Sequence, residues 1–283
     1  MYLNAELLPA EKALVSVFDH GFSYGDGLFE TILVVGRHPV FLAAHLERLA
    51  AGARILRLEL PWSGEQLAAA VQETVAAAAL GSGYLRLTVT RGAGEGWRLA
   101  ACREPTLLIV PYDHIPYPAE DYAQGFAAAI SRWRRNHHSP LAQVKSLNYL
   151  ENILAKDEAL ALGAQEAILL NLEGRVAEGA MSNVFVIGDG YLVTPPPQEG
   201  PLPGITRRYV LELASRVGLT AAERPVAPGE LVGAPEAFLT SSLMGIMPLT
   251  FLEGRPVGTG RPGPLTRRLA RVYQEAIGSE GGW

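Results

Sequence analysis

The chain has 283 residues, 48% hydrophobic and 19% charged, which is enough apolar material for one large or two medium domains. A formal net charge of -5 and a sequence pI near 5.7 give no general attraction to nucleic acid or to anionic lipid, and the run Arg132-Trp133-Arg134-Arg135 is too short for a nucleic-acid stripe. The single cysteine, Cys102, excludes an internal disulfide. With Glu6, Glu11 and Lys12 where a secretion signal would be apolar, the cytoplasm is the expected location. The most apolar helical stretch, residues 67–80, falls short of the roughly 20 residues a membrane span needs.

In chain order, residues 13–18 and 28–35 are apolar and β-prone, and the polar and glycine residues between them predict strand, loop, strand. Leu42, Leu46, Leu49, Ala53 and Leu56 then recur at helical spacing, and residues 67–80 repeat the pattern after Pro61 and the N-cap candidate Ser63. Strands return at residues 84–90 and 106–112. Pro116 and Pro118 make residues 113–119 the expected linker between a domain of residues 1–112 and one of residues 120–283.

Beyond the linker, residues 125–132 and 166–170 predict strands flanking a helix over 147–162. Residues 184–187 and 191–193 predict a hairpin closed at Asp189-Gly190. Pro195, Pro196 and Pro197 end that hairpin, and Gly204 precedes a helix over 205–217. Strands at 237–240 and 246–252 and a helix over 265–277 complete an α+β order without regular βαβ alternation.

Lysine occurs only at positions 12, 145 and 156. Lys145 follows the strand-like Gln143-Val144 at the end of an element. It reads either as a solvated charge or as an amine whose burial lets it lose its proton and form a Schiff base with an aldehyde cofactor. Pyridoxal phosphate (PLP) is such a cofactor. Its site needs a carboxylate for the pyridine nitrogen, a phosphate cradle and cover for the ring.

Glu178, before the apolar residues 184–187, fits the first need, although a turn residue or an ion-pair member would look the same. Gly204-Ile205-Thr206 at a helix start offers free N–H groups to a phosphate or is a plain cap. Thr240-Ser241-Ser242 could add hydroxyls or form an ordinary turn, and Arg48 is a cationic clamp or a surface charge.

Three other patterns compete with this reading. Gly21-Phe22-Ser23-Tyr24-Gly25 matches a nucleophile elbow, which would make Ser23 the centre of a serine hydrolase, but the β-prone residues 28–35 follow where an elbow requires a helix. Gly92, Gly94 and Gly96 lack the dinucleotide spacing and read as a loop at the rim of a site. His137-His138 has neither helical two-His spacing nor nearby Cys or carboxylate partners, so no metal is expected.

Together, Tyr24-Gly25-Asp26-Gly27-Leu28-Phe29-Glu30-Thr31, residues 45–49, Thr90-Arg91-Gly92, Lys145-Ser146-Leu147-Asn148-Tyr149-Leu150, residues 178–185 and residues 202–207 resemble, in order, the class IV aminotransferases. The resemblance implies the fold-type IV architecture: a small N-terminal α/β domain, a larger C-terminal PLP-binding domain with a β-barrel-like core, and a homodimer. It also implies Lys145 as the Schiff-base lysine and proton-moving base, and Glu178 at the pyridine nitrogen. Arg48, Ile205, Thr206, Ser241 and Ser242 match the phosphate cradle, and Tyr149 and Asn183 lie close to the ring. Tyr24, Phe29, Arg91 and Arg98 are the implied substrate-side residues.

Residues 28–31, 145–154 and 239–248 look most like bacterial 4-amino-4-deoxychorismate lyases, which eliminate pyruvate to leave 4-aminobenzoate, a folate precursor. The alternative is an aminotransferase for D-amino acids or branched-chain amino acids. Gly94-Glu95-Gly96-Trp97-Arg98 departs from the arginine-bearing loop usual in those lyases.

Overall fold

A computed structural model describes residues 1–278; the last five residues of the expected 120–283 domain lie outside the described residues. The chain forms two compact units, residues 1–116 with 144–148 and residues 117–143 with 149 onward. Residues 144–148, although they follow the expected linker, therefore group with the first unit.

Unit 1 contains β1 (Tyr2–Leu3), β2 (Glu6–Leu7), α1 (His20–Tyr24), β3 (Gly27–Val35), β4 (His38–Pro39), α2 (Leu42–Leu56), α3 (Gly64–Ala77), β5 (Gly83–Thr90) and β6 (Thr106–Tyr112). The strands pair in the order β2-β1-β6-β5-β3-β4, all antiparallel, from Tyr2 opposite Ile109 to Val34 opposite Pro39. Leu28, Ile32 and Val34 alternate along β3 onto a buried core shared with Leu46, Leu49 and Ala53 of α2 and Leu67 and Val71 of α3. Ser63 caps α3 as expected: its hydroxyl accepts from the Gln66 amide and the Gln66 side chain accepts from the Ser63 amide.

Residues 13–18 are not the expected strand. Leu14, Val17 and Phe18 are exposed, and β1 and β2, formed by residues 2–7, occupy the sheet edge beyond β6. An apolar run without a partner has nowhere to satisfy its ladder.

Unit 2 contains α4 (Ala119–Gln124), β7 (Phe126–Arg135), α5 (Leu150–Ala161), β8 (Glu166–Asn171), β9 (Val176–Gly179), β10 (Asn183–Gly188), β11 (Tyr191–Thr194), α6 (Ile205–Leu213), β12 (Thr220–Glu223), α7 (Pro228–Gly233), β13 (Glu236–Ser241), β14 (Gly245–Leu252), β15 (Arg255–Pro256) and α8 (Pro264–Gly278). The pairing order is β12-β11-β10-β13-β14-β7-β8-β9, with β15 on β14. β9 ends this order, yet the turn at residues 180–182, where the Gly179 amide donates to the Ser182 carbonyl, leads straight into β10. The sheet therefore curls as a β-barrel-like core. Its interior is apolar, with Ile168, Val184, Leu239 and Met247 buried.

The hairpin β10–β11 closes at Asp189 and Gly190, whose φ angles of 51° and 80° are the left-handed pair of a type I′ turn. The expected helix over 147–162 starts later, at Leu150. Ser146 bridges to Leu28 and the Leu147 amide donates to the Gly27 carbonyl, so this backbone belongs to a sheet contact first. The helix over 205–217 is α6 followed by a 3-10 turn. β9 is unanticipated, and it places Glu178 within a strand rather than ahead of one.

Candidate functional site

The sequence-predicted residues fall into two clusters, one in each unit. In unit 1, Lys145 is held by its backbone: the Phe29 amide donates to the Lys145 carbonyl at 3.0 Å, and Asn148 Nδ2 donates to the Gly25 carbonyl at 2.9 Å. Its Nζ then lies 4.3 Å from the centroid of the buried Phe29 ring, and the Arg86 guanidinium lies 4.0 Å from the same centroid. Two cations thus share one aromatic ring.

Strand alternation turns the next residue, Glu30, toward α2. Glu30 is fully buried. Arg48 donates to it through Nε at 2.8 Å and Nη2 at 2.5 Å, and His45 Nδ1 is 2.7 Å from Oε2. Burial alone would raise the Glu30 carboxyl; the Arg48 charge and the hydrogen bonds from Arg48 and His45 outweigh it and bring it down to about 2. Burial pushes the His45 imidazole down, against the pull of Glu30, and the charges of Arg48 and Lys145 add to the lowering. Arg48 is therefore a braced cation, not a surface charge.

The other unit 1 candidates are placed differently. Tyr24 ends α1, half exposed, its ring edge-on to His20 at 4.9 Å. Arg91 is engaged throughout: Nε and Nη2 donate to Asp26 at 2.6 and 3.0 Å, Nη1 to the Arg57 carbonyl at 2.8 Å and Nη2 to the Leu56 carbonyl at 2.9 Å. Arg98 is exposed, ahead of a short 3-10 turn. Ser23 lies inside α1 with no strand running into it, which is not an elbow.

In unit 2, Glu178 is buried with both oxygens engaged. Arg135 Nη2 donates to Oε1 at 2.6 Å and the Leu202 amide donates to Oε2 at 2.9 Å, while Arg135 Nη1 also donates to Glu151 at 2.9 Å. Burial disfavours the Arg135 charge, but Glu178 and Glu151 outweigh it and raise its pKa. Arg132 likewise pairs with Glu158. Two arginines of the basic run are thus already paired with carboxylates of this chain.

Tyr149 donates its hydroxyl to the Ala180 carbonyl at 3.4 Å, and Asn183 Nδ2 donates to the Leu202 carbonyl at 2.9 Å. Gly204 begins α6 without any side-chain cap, and a Cβ there would stand 2.0 Å from Asn183 Oδ1. Ile205 and Thr206 are buried at the helix start, with the Thr206 hydroxyl 3.2 Å from the Tyr273 hydroxyl of α8. Ser241 Oγ accepts from the Met244 amide at 3.2 Å, and Ser242 is partly buried beside it. Thr240, opposite Asn183 in the ladder, has a buried hydroxyl with no hydrogen-bond partner among the described residues.

Sequence reading missed the Glu30–His45 brace, Arg135 and Arg86. A carboxylate in the otherwise apolar residues 28–35 was the available signal for Glu30; Arg86 and Arg135 carry none. One expectation is corrected. His137-His138 does have a carboxylate neighbour, since the turn between β8 and β9 brings Glu173 Oε1 to 3.4 Å from His137 Nε2.

These groups fit a phosphorylated pyridine aldehyde. An uncapped helix start, an orphaned buried hydroxyl and adjacent serines suit a phosphate, and a buried carboxylate suits a protonated ring nitrogen. The class IV amino-transferase family matches residues 27–251. A putative branched-chain-amino-acid aminotransferase of Methanocaldococcus jannaschii is 35% identical over 97% of this chain and 95% of its own. A branched-chain amino acid aminotransferase from T.th., solved with pyridoxamine 5'-phosphate, superposes with a TM-score of 0.91 at 31% identity, covering 98% of this chain and 93% of the other. The 4-amino-4-deoxychorismate lyase of Pseudomonas aeruginosa superposes at 0.86 with 35% identity, covering 98% of each chain. The chain belongs to the class IV aminotransferase family and is a PLP-dependent enzyme of the fold-type IV architecture.

Proposed function

We propose that this enzyme transfers an amino group between an amino acid and a keto acid, with Lys145 as the residue that carries the cofactor and moves the proton. The observation that carries the reading is the Phe29 ring with Lys145 at 4.3 Å and Arg86 at 4.0 Å, a reactive amine sharing its support with a cation suited to an anionic group of the substrate. When bound, PLP supplies an electron sink for the bonds around the substrate α-carbon. With the cofactor in place, Lys145 Nζ would serve as the base that takes the proton from the substrate α-carbon and gives it back. The Phe29 ring packs under Nζ and limits its paths.

In the same proposal Glu178 pairs with the ring nitrogen, Arg135 and the Leu202 amide fix its carboxylate, and Tyr149 and Asn183 lie close to the ring. Arg48, the amides of Ile205 and Thr206, and the hydroxyls of Thr206, Ser241 and Ser242 receive the phosphate, with Thr240 as a further hydroxyl. Tyr24 is the remaining substrate-side candidate. Arg91, with its donors spent on Asp26 and two carbonyls, serves the loop, and the exposed Arg98 is left out of the substrate grip.

The aminodeoxychorismate lyase reading rests on residues 145–154 and on the Pseudomonas neighbour. A single experiment separates the two. Purified holoenzyme is given L-leucine or D-alanine with 2-oxoglutarate, and separately aminodeoxychorismate. Glutamate formed in step with the new keto acid supports transfer; release of 4-aminobenzoate and pyruvate, without transfer, sinks it and establishes the lyase.

The proposal includes a homodimer in the cytoplasm. Leu14, Val17, Phe18 and Phe22 of unit 1 are 65–78% exposed, an apolar surface suited to a second copy. Light scattering from a monomer at micromolar concentration would overturn the dimer. Among the described residues no helix is long and apolar enough to cross a membrane.

A further inference from the structure

We infer that His137, His138 and Glu173 form a binding site for a divalent transition-metal ion, of which Zn²⁺ is the test case, on unit 2. One ligand atom from each of the three lies within 4.8 Å of the other two. His137 Nε2 and Glu173 Oε1 are 3.4 Å apart. That is the edge of a tetrahedron whose metal–ligand bonds are about 2.0–2.1 Å long, an edge of roughly 3.3–3.4 Å.

Neighbouring residues in a strand point to opposite faces, so two consecutive histidines share a ligand only where the chain turns. Here it does. β7 ends at Arg135, Asn136 Oδ1 accepts from the His138 amide at 3.1 Å, and the Ser139 amide donates to the Asn136 carbonyl at 3.0 Å. The turn brings the two imidazoles to 4.0 Å between centroids. The His137 side chain is 5% exposed and its Nδ1 is buried without a hydrogen-bond partner among the described residues. His138 is exposed and free to adjust onto an ion.

Glu173 is equally prepared. Asn171 Oδ1 accepts from the Glu173 and Arg175 amides, at 3.0 Å each, which fixes the turn between β8 and β9. Arg175 pairs with Glu173 Oε2 and leaves Oε1 toward His137. The Arg175 charge does not repel the ion unopposed, because Nε and Nη2 also donate to Glu199 at 2.5 and 2.9 Å. Two imidazoles and one carboxylate form a donor set for zinc or a neighbouring ion, with one coordination position open.

An ion here ties the turn after β7 to the turn before β9. Both turns touch the segment that leads to Gly204: Glu199 accepts from Asn171 and Arg175, and a Cβ at Gly200 would lie 2.8 Å from His137 Cβ. The site does not depend on which reaction the enzyme catalyses.

The test is calorimetric titration of the untagged, full-length holoenzyme with Zn²⁺ after removal of free PLP, on wild type, His138→Ala and Glu173→Gln. Both replaced residues are exposed, so folding is preserved. The expected result is one Zn²⁺ per chain, with affinity lowered at least about tenfold by each replacement and a matching loss of the Zn²⁺-dependent rise in Tm. Absence of saturable binding, or binding that survives either replacement, overturns the site.

Discussion

The two clusters hold their candidate binding groups by opposite means. In unit 1 the cation Arg48 is fixed by a buried ion cluster, with Glu30 bonded to both Arg48 and His45. In unit 2 the proposed phosphate cradle is made of backbone amides at an uncapped helix start and of hydroxyls. A charge brace is strong only while every member keeps its charge and its partner, whereas amides and hydroxyls have no charge to lose over the working pH range. Acid can therefore break the unit 1 cluster by protonating Glu30, while the unit 2 groups have no such limit.

The comparison can be broken first at Lys145, which belongs to neither kind of anchor. Lys145→Ala is expected to lower kcat by about 10⁴-fold or more and to abolish the borohydride-fixed cofactor adduct on the peptide containing residue 145. An adduct that persists in the variant would remove Lys145 from the mechanism.

Next is the brace itself. Glu30→Ala removes the buried carboxylate that both Arg48 and His45 bond to and should cost about 3–5 kcal/mol of stability by urea unfolding. A loss under about 1 kcal/mol would show that the cluster is solvated in solution.

The same brace sets an acid limit. The Glu30 carboxyl sits at about 2 against an ordinary 4.5, a depressed value, so its contribution is complete above pH 4.5 and is lost as pH falls toward 2. On the linkage relation this amounts to roughly 3 kcal/mol. Glu30→Gln should flatten that part of the stability curve, measured by urea midpoints between about pH 5 and pH 2, and an unchanged slope would assign it to other carboxylates.

The smallest effect tests the neutral anchor. Thr240→Val removes a buried hydroxyl that has no hydrogen-bond partner among the described residues, so the apoenzyme should be unchanged or slightly more stable, while PLP affinity falls about tenfold, or about 1.4 kcal/mol. A variant that weakens the apoenzyme and leaves PLP binding intact would take Thr240 out of the cradle.

Much of this was legible in the sequence for local reasons. The periodic leucines of α2, the capping box at Ser63 and Gln66, and the Asp189-Gly190 turn each depend on a few adjacent residues, and each appears where its pattern stands. Lys145, Glu178 and the Gly204 helix start could be proposed as a set because of their order along the chain, and of these the helix start stands where expected.

What only the tertiary structure decided are the partners. Residues 13–18 have a strand's composition but no strand to pair with. Leu147 stays out of the expected helix because the Gly27 carbonyl of β3 takes its amide first. Glu30, Arg135 and Glu173 acquire their roles from residues 15 to 43 positions away. Sequence determines which groups are available and which backbone is locally cheap, but the pairing of a buried charge is settled by distance in space. For the same reason Lys145 and Phe29 could be named from the chain alone, whereas their contact and the Arg86 cation on the same ring could not.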